Sequence, residues 1–170
     1  FCFSAYTGLR FSDVVRITPE MVKGDCLYIT TKKTEDALEV YLLPEAKELL
    51  AKYNNSFKGL RTNQGENKGV KRIARLAGID EPVNITEYFG DKKIDKTVPK
   101  HTVLTFHSAK KTNITLALKN GARPETVSAQ VGNTMRTMKP YISITYQDKK
   151  EELTKAFKNI KKAASKLQVA

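Results

Sequence analysis

Cysteine is scarce in this chain. Cys2 and Cys26 are the only two in 170 residues, too few for a disulfide framework. That pattern implies a reduced, cytoplasmic protein, and no zinc-binding spacing exists around either thiol. Long apolar runs are also missing. None approaches the roughly 18 residues that a bilayer span requires, which excludes a membrane partner of that kind. No signal peptide, internal repeat or low-complexity tract is visible. Acidic residues are outnumbered, with 18 Asp and Glu against 30 Lys and Arg, a net charge of +12 and a pI near 9.7. A surplus of this size points to a polyanionic partner, usually nucleic acid. The lysines are spread along the chain rather than gathered in a tail, so they describe a broad folded surface and not a disordered arm.

What is present suffices for one domain with a core: 170 residues, 40% of them hydrophobic. Phe1 to Tyr6 read as the inside of a helix without a cap, so the chain is expected to be a piece of something longer. That helix closes at Thr7-Gly8. Phe11 to Arg16 start a new turn, with Ser12 or Asp13 as the expected cap. Residues 25–31 and 37–43 are β-rich and flank the polar stretch 32–36, the pattern of a hairpin. An amphipathic helix follows from Glu45 to Tyr53, a polar loop over 54–66, and a helix from Asn67 to Ala77 with Val70, Ile73, Ala74 and Ala77 as its stripe. Residues 85–89 and 93–98 suggest a second small hairpin. His101 belongs to a connector and is expected at the surface. Helices are expected over 106–119 and 124–131. A charged amphipathic helix is expected over 148–167, its stripe including Leu153 and Phe157 and its lysines a solvated face.

Several short words stand in a particular order: Thr7-Gly8-Leu9-Arg10 followed by Asp13; Lys33-Thr34 in the hairpin turn; Phe106-His107-Ser108-Ala109-Lys110; Val131-Gly132-Asn133; and Tyr141-Ile142-Ser143-Ile144. Together they resemble the catalytic domain of tyrosine recombinases, the phage-integrase family, over nearly all of residues 1–147. The stretch from Asn67 to Pro82 is similar to integrases of Bacteroides-type mobile elements.

The resemblance implies an α+β fold, mostly helical with a small antiparallel β-sheet. Residues 1–147 would form the catalytic domain, and residues 148–170 a C-terminal helix that docks on a neighbouring protomer. It implies site-specific cleavage and rejoining of double-stranded DNA within a homo-tetramer, with no small-molecule substrate. Attack on a phosphodiester builds negative charge on the phosphate, and arginine's planar fork stabilises it. A tyrosine hydroxyl attacks only when its proton is removed or its anion is stabilised. The phosphotyrosine formed conserves the bond, so no cofactor and no metal is needed. By resemblance, Arg10 is a phosphate clamp, Lys33 the general acid with Lys32 as its rival, and His107 an acid/base or phosphate-binding group. Tyr141 is the nucleophile, with Tyr146 as the nearby alternative. Two positions depart from the family pattern. Lys110 stands where the family has a second Arg, and keeps the charge without the fork. Asn133 stands where the family has His or Trp, and can give a phosphate one hydrogen bond but no charge. The step from Asn133 to Tyr141 is also one residue shorter, and Pro140 precedes the tyrosine. A second reading follows from these departures: a recombinase-derived DNA-binding protein with weak or no strand cleavage.

Overall fold

The computed structural model describes residues 1–59, 62–142, 150, 153–155, 157 and 158. Helix α1 (Cys2–Thr7) ends at Gly8, whose φ of +72° reverses the chain. Helix α2 (Phe11–Val14) follows, and a 3₁₀ turn at Pro19–Met21 leads into the sheet. Strands β1 (Val22–Lys23), β2 (Cys26–Thr30) and β3 (Ala37–Tyr41) form an antiparallel sheet in that order. Leu27 pairs with Val40 and Ile29 with Leu38, and all four face inward while their neighbours face solvent. Helix α3 (Pro44–Lys52) buries Ala46 and Leu50 against α1. These residues join Phe3, Leu9, Val14, Ile17 and Phe106 in the larger of two cores.

Helix α4 (Asn63–Leu76) starts four residues earlier than its apolar pattern suggests. The Thr62 hydroxyl accepts the Gly65 N–H at 3.2 Å, so a polar cap extends the helix through residues that read as loop. Only part of the expected stripe is used. Val70 and Ala74 are buried, whereas Ile73 is 68% exposed. Strands β4 (Pro82–Phe89) and β5 (Lys92–Pro99) form a separate two-stranded ribbon, β4 starting three residues earlier than expected and β5 longer by one residue at each end. A 3₁₀ turn at Lys100–Val103 closes its base. There His101 is half-buried rather than a free surface residue, its Nδ1 2.7 Å from the Asp80 carboxylate.

Helices α5 (Phe106–Lys119) and α6 (Pro124–Val131) have the bounds their sequence pattern predicts. Thr105 and Ser108 form a reciprocal capping box at the start of α5. Helix α7 (Met135–Met138) and a 3₁₀ turn at Lys139–Tyr141 complete the second core, where Ile114, Val127, Val131 and Met138 are buried. Helix α6 also docks on the edge of β3. The Gln130 side chain accepts the Tyr41 N–H at 3.0 Å and donates to the Tyr41 carbonyl at 2.9 Å. Within the terminal helix expected over 148–167, residues 150, 153–155, 157 and 158 are described and are helical; the remainder of that expectation lies outside the described residues. Among the described residues no helix is long and apolar enough to cross a membrane.

Candidate active site

Arg10 is presented by a tight exit from α1. Ser4 Oγ donates to the Leu9 carbonyl at 2.5 Å, and Thr7 Oγ1 to the Phe3 carbonyl at 2.8 Å, so the Thr7-Gly8-Leu9 turn is bonded from within. Arg10 itself is extended, at φ −76° and ψ 157°, and is the residue that begins α2. Its half-buried guanidinium donates through Nη2 to Asn133 Oδ1 at 3.4 Å, joining the first of the short motifs to the one that ends α6.

No side-chain cap closes α2, so Ser12 and Asp13 do not have their expected role. Asp13 is 1% exposed and turned towards the hairpin, where its Oδ1 accepts the Lys32 N–H at 2.9 Å. That contact ties the turn between β2 and β3 to the helix beside Arg10. Thr31 and Thr34 share a 2.8 Å hydroxyl hydrogen bond inside the same turn. Both Lys32 and Lys33 extend from it into solvent.

Arg10, Arg16, Lys32, Asn63 and His107 surround an open depression of about 490 Å³, floored by Phe11, Val15 and Phe106. His107 stands in the first turn of α5. That turn is held by its capping box and by the Phe106 N–H, which donates to Asn67 Oδ1 at 2.7 Å. Partial desolvation lowers the His107 pKa, and the charges of Lys111, Lys110, Arg10 and Lys33 lower it further. The imidazole is therefore neutral at pH 7, in a field that would welcome an anion. Lys32 lines the depression, and Lys33 lies near enough for its charge to act on His107.

Lys110 lies elsewhere. It is 2% exposed and does not line the depression; its Nζ donates to the Val131 carbonyl at 2.5 Å. Desolvation, and then repulsion from Arg10, push its pKa down to about 7, against a smaller opposing pull from Asp13. The native ammonium thus holds its proton less tightly than the unfolded one. Stability attributable to this group is complete above about 10.5, the unfolded value, and is lost as pH falls through about 7. The unfolding free energy should rise between those limits, with a slope of up to about 1.4 kcal/mol per pH unit. Urea titrations of the native chain and of Lys110→Met check this: the rise should be missing in the variant, and parallel curves would refute it.

Asn133 follows Gly132, which adopts φ +60° at the end of α6. Its backbone N–H donates to the Ser128 carbonyl at 3.1 Å. Tyr141 is half-buried in the 3₁₀ turn after α7, packed against the second core, with Pro140 in the same turn. Tyr146 lies outside the described residues. The sequence pattern did not single out Arg16 or Asn63, which come to the depression from α2's end and α4's start. No local signal marks either one. Asp13 as a strut had a signal, its place in the first motif, but its partner became visible only in three dimensions.

No family model matches the chain, and no curated protein matches it. Solved structures do. The XerH site-specific recombinase bound to difH substrate superposes with a TM-score of 0.60 at 17% identity, over 88% of this chain and 44% of that one. The XerA recombinase gives 0.59 at 18%, over 91% and 56%. This chain has the fold of a tyrosine recombinase catalytic domain. The Tn1549 transposon integrase in complex with circular intermediate DNA shares it, with a TM-score of 0.60 at 13% identity over 89% and 55%. The chain spans about half the length of these recombinase and integrase structures.

Proposed function

We propose that this chain is the catalytic domain of a site-specific DNA recombinase or integrase. It cleaves one strand of double-stranded DNA, holds the 3′-phosphate on Tyr141, and rejoins it to a new partner. The observation that carries this reading is the convergence of Arg10, Lys32 and His107 on one depression, with Lys33 acting on the same field, in the fold that site-specific recombinases use. A phosphate on Arg10 would sit among the positive groups of the hairpin turn and the His107 ring, placed to stabilise charge that develops in a transition state. Neutral His107 can pass a proton, and a lysine of the hairpin turn can protonate the leaving 5′ oxygen. The chemistry needs no metal and no cofactor.

The finer parts of the reading rest on the sequence resemblance. Residues 1–147 form the catalytic unit, and 148–170 dock on a neighbouring protomer within a tetramer on DNA, in the cytoplasm. Asn67 to Pro82 relate the chain to integrases of Bacteroides-type mobile elements. The second reading, a DNA-binding protein that cleaves weakly, draws support from Lys110, whose ammonium is directed at a carbonyl, and from the uncharged Asn133.

The test is a duplex carrying the recognition site with a nick that traps the covalent intermediate. The native protein should form an adduct that survives denaturation, and Tyr141→Phe should form none. Site binding without an adduct would leave the second reading.

A further inference from the structure

Lys110 sits where the resemblance calls for a phosphate-clamping arginine, yet the residue is 2% exposed and its ammonium lies 2.5 Å from the Val131 carbonyl. Val131 is the last residue of α6, and the final carbonyls of a helix have no partner within it. A cation there satisfies one of them and complements the helix dipole. Directly beyond, Gly132 reverses the chain, and both its N–H and that of Asn133 return to the Ser128 carbonyl. Ser128 Oγ closes the loop on the Asn133 carbonyl at 2.5 Å. Asn133 Oδ1 then receives the Arg10 guanidinium. A continuous bonded path therefore runs from Lys110 through Val131, Gly132 and Asn133 to Arg10.

We infer that Lys110 is a positioning residue: it fastens the carboxyl end of α6, sets Asn133 against Arg10, and does not bind phosphate. The site chemistry explains the residue type. One carbonyl takes one strong donor, which a compact ammonium supplies. A guanidinium at the same place would bring five N–H donors instead of three, on a larger planar group, to the same carbonyl. The charges facing Lys110 are Arg10 from the start of α2 and Asp13 from within it, and His107 and Lys111 accompany it on α5. What Arg10 in turn holds rests on the recombinase reading; the fastening itself does not.

Three measurements decide it. In the unmodified protein at pH 6, a through-hydrogen-bond coupling should link the Lys110 Nζ nitrogen to the Val131 carbonyl carbon; its absence overturns the proposal. In Lys110→Met, amide exchange at Gly132 and Asn133 should accelerate at least tenfold relative to Leu27 in β2, whereas unchanged ratios overturn it. In duplex-binding titrations, the salt dependence of log K should be the same for native protein and Lys110→Met, since a lost phosphate contact would lower the slope by about 0.9. Lys110→Arg separates the roles again: a fastener should accelerate exchange at Asn133, while a phosphate ligand should improve binding and leave exchange alone. If the native protein binds no duplex, the recombinase reading fails on that observation, and the coupling and exchange measurements still decide the role of Lys110.

Discussion

Alanine at position 8 is expected to destabilise the fold by about 3 kcal/mol. Two penalties add. The first is conformational, because Gly8 holds φ at +72°, where a side chain is strained by about 1 kcal/mol or more. The second is steric. A Cβ on Gly8 would lie 2.3 Å from Val131 Cγ1 and 3.0 Å from Asn113 Oδ1. Neither neighbour can yield cheaply. Val131 is buried in the second core, and Asn113 is held by its side-chain donation to the Ala5 carbonyl at 2.9 Å. Overpacking of this kind typically costs about 1–3 kcal/mol. In a domain of this size the midpoint of thermal unfolding should fall by roughly 6–12 °C. A calorimetric scan that moved by less than 2 °C would mean that α6 does not approach the α1–α2 turn as described. The glycine is what lets Val131, and with it Asn133, come close enough to meet Arg10.

The second large effect is expected at Arg10 itself. Arg10→Lys should lower the rate of covalent adduct formation by about 10²–10³, the size expected when a donor to a developing oxyanion is lost. The fold should hardly notice. Arg10 is only half-buried, and its one side-chain hydrogen bond among the described residues, to Asn133, is long at 3.4 Å. Lysine keeps the charge and with it most of the duplex affinity, because backbone binding depends on the number of cations. It loses the planar fork that holds two phosphate oxygens at once. Single-turnover rates on the nicked duplex, together with binding isotherms, separate the two contributions. A rate within threefold of native would remove Arg10 from the chemistry, whatever happened to affinity.

The two substitutions probe different parts of one arrangement. Gly8 governs how closely α6 approaches, and Arg10 is the group that the approach serves. Between them stands Lys110, at the motif position where an arginine would be expected to add a second fork. Its burial leaves the depression with Arg10, Arg16 and Lys32 as its cations, beside the neutral His107. A cleavage reaction run there would depend more heavily on Arg10 than one with two arginine forks.

Much of this was legible in the chain itself. β-rich stretches on either side of a polar turn marked β2 and β3, and in the structure each strand has one face in the core and one turned outward. Helices α5 and α6 could be bounded to the residue, since Gly121 and Pro124 punctuate them locally. The order of the short motifs indicated the fold. These are local or summed properties, and a sequence carries them whole. Tertiary structure alone decided where side chains turn. Asp13 had the sequence signature of a cap and became a strut, because the Lys32 N–H on another element was within reach. Ile73 fitted an apolar stripe and stayed in water, because nothing among the described residues packs over that side of α4. Lys110 occupied a catalytic motif position and became a buried donor, because Val131 ends α6 with an unpaired carbonyl just there. Hydrogen bonds between distant elements depend on distances of a few ångströms that no spacing along the chain encodes, and at this site those distances determine which cations can reach a phosphate.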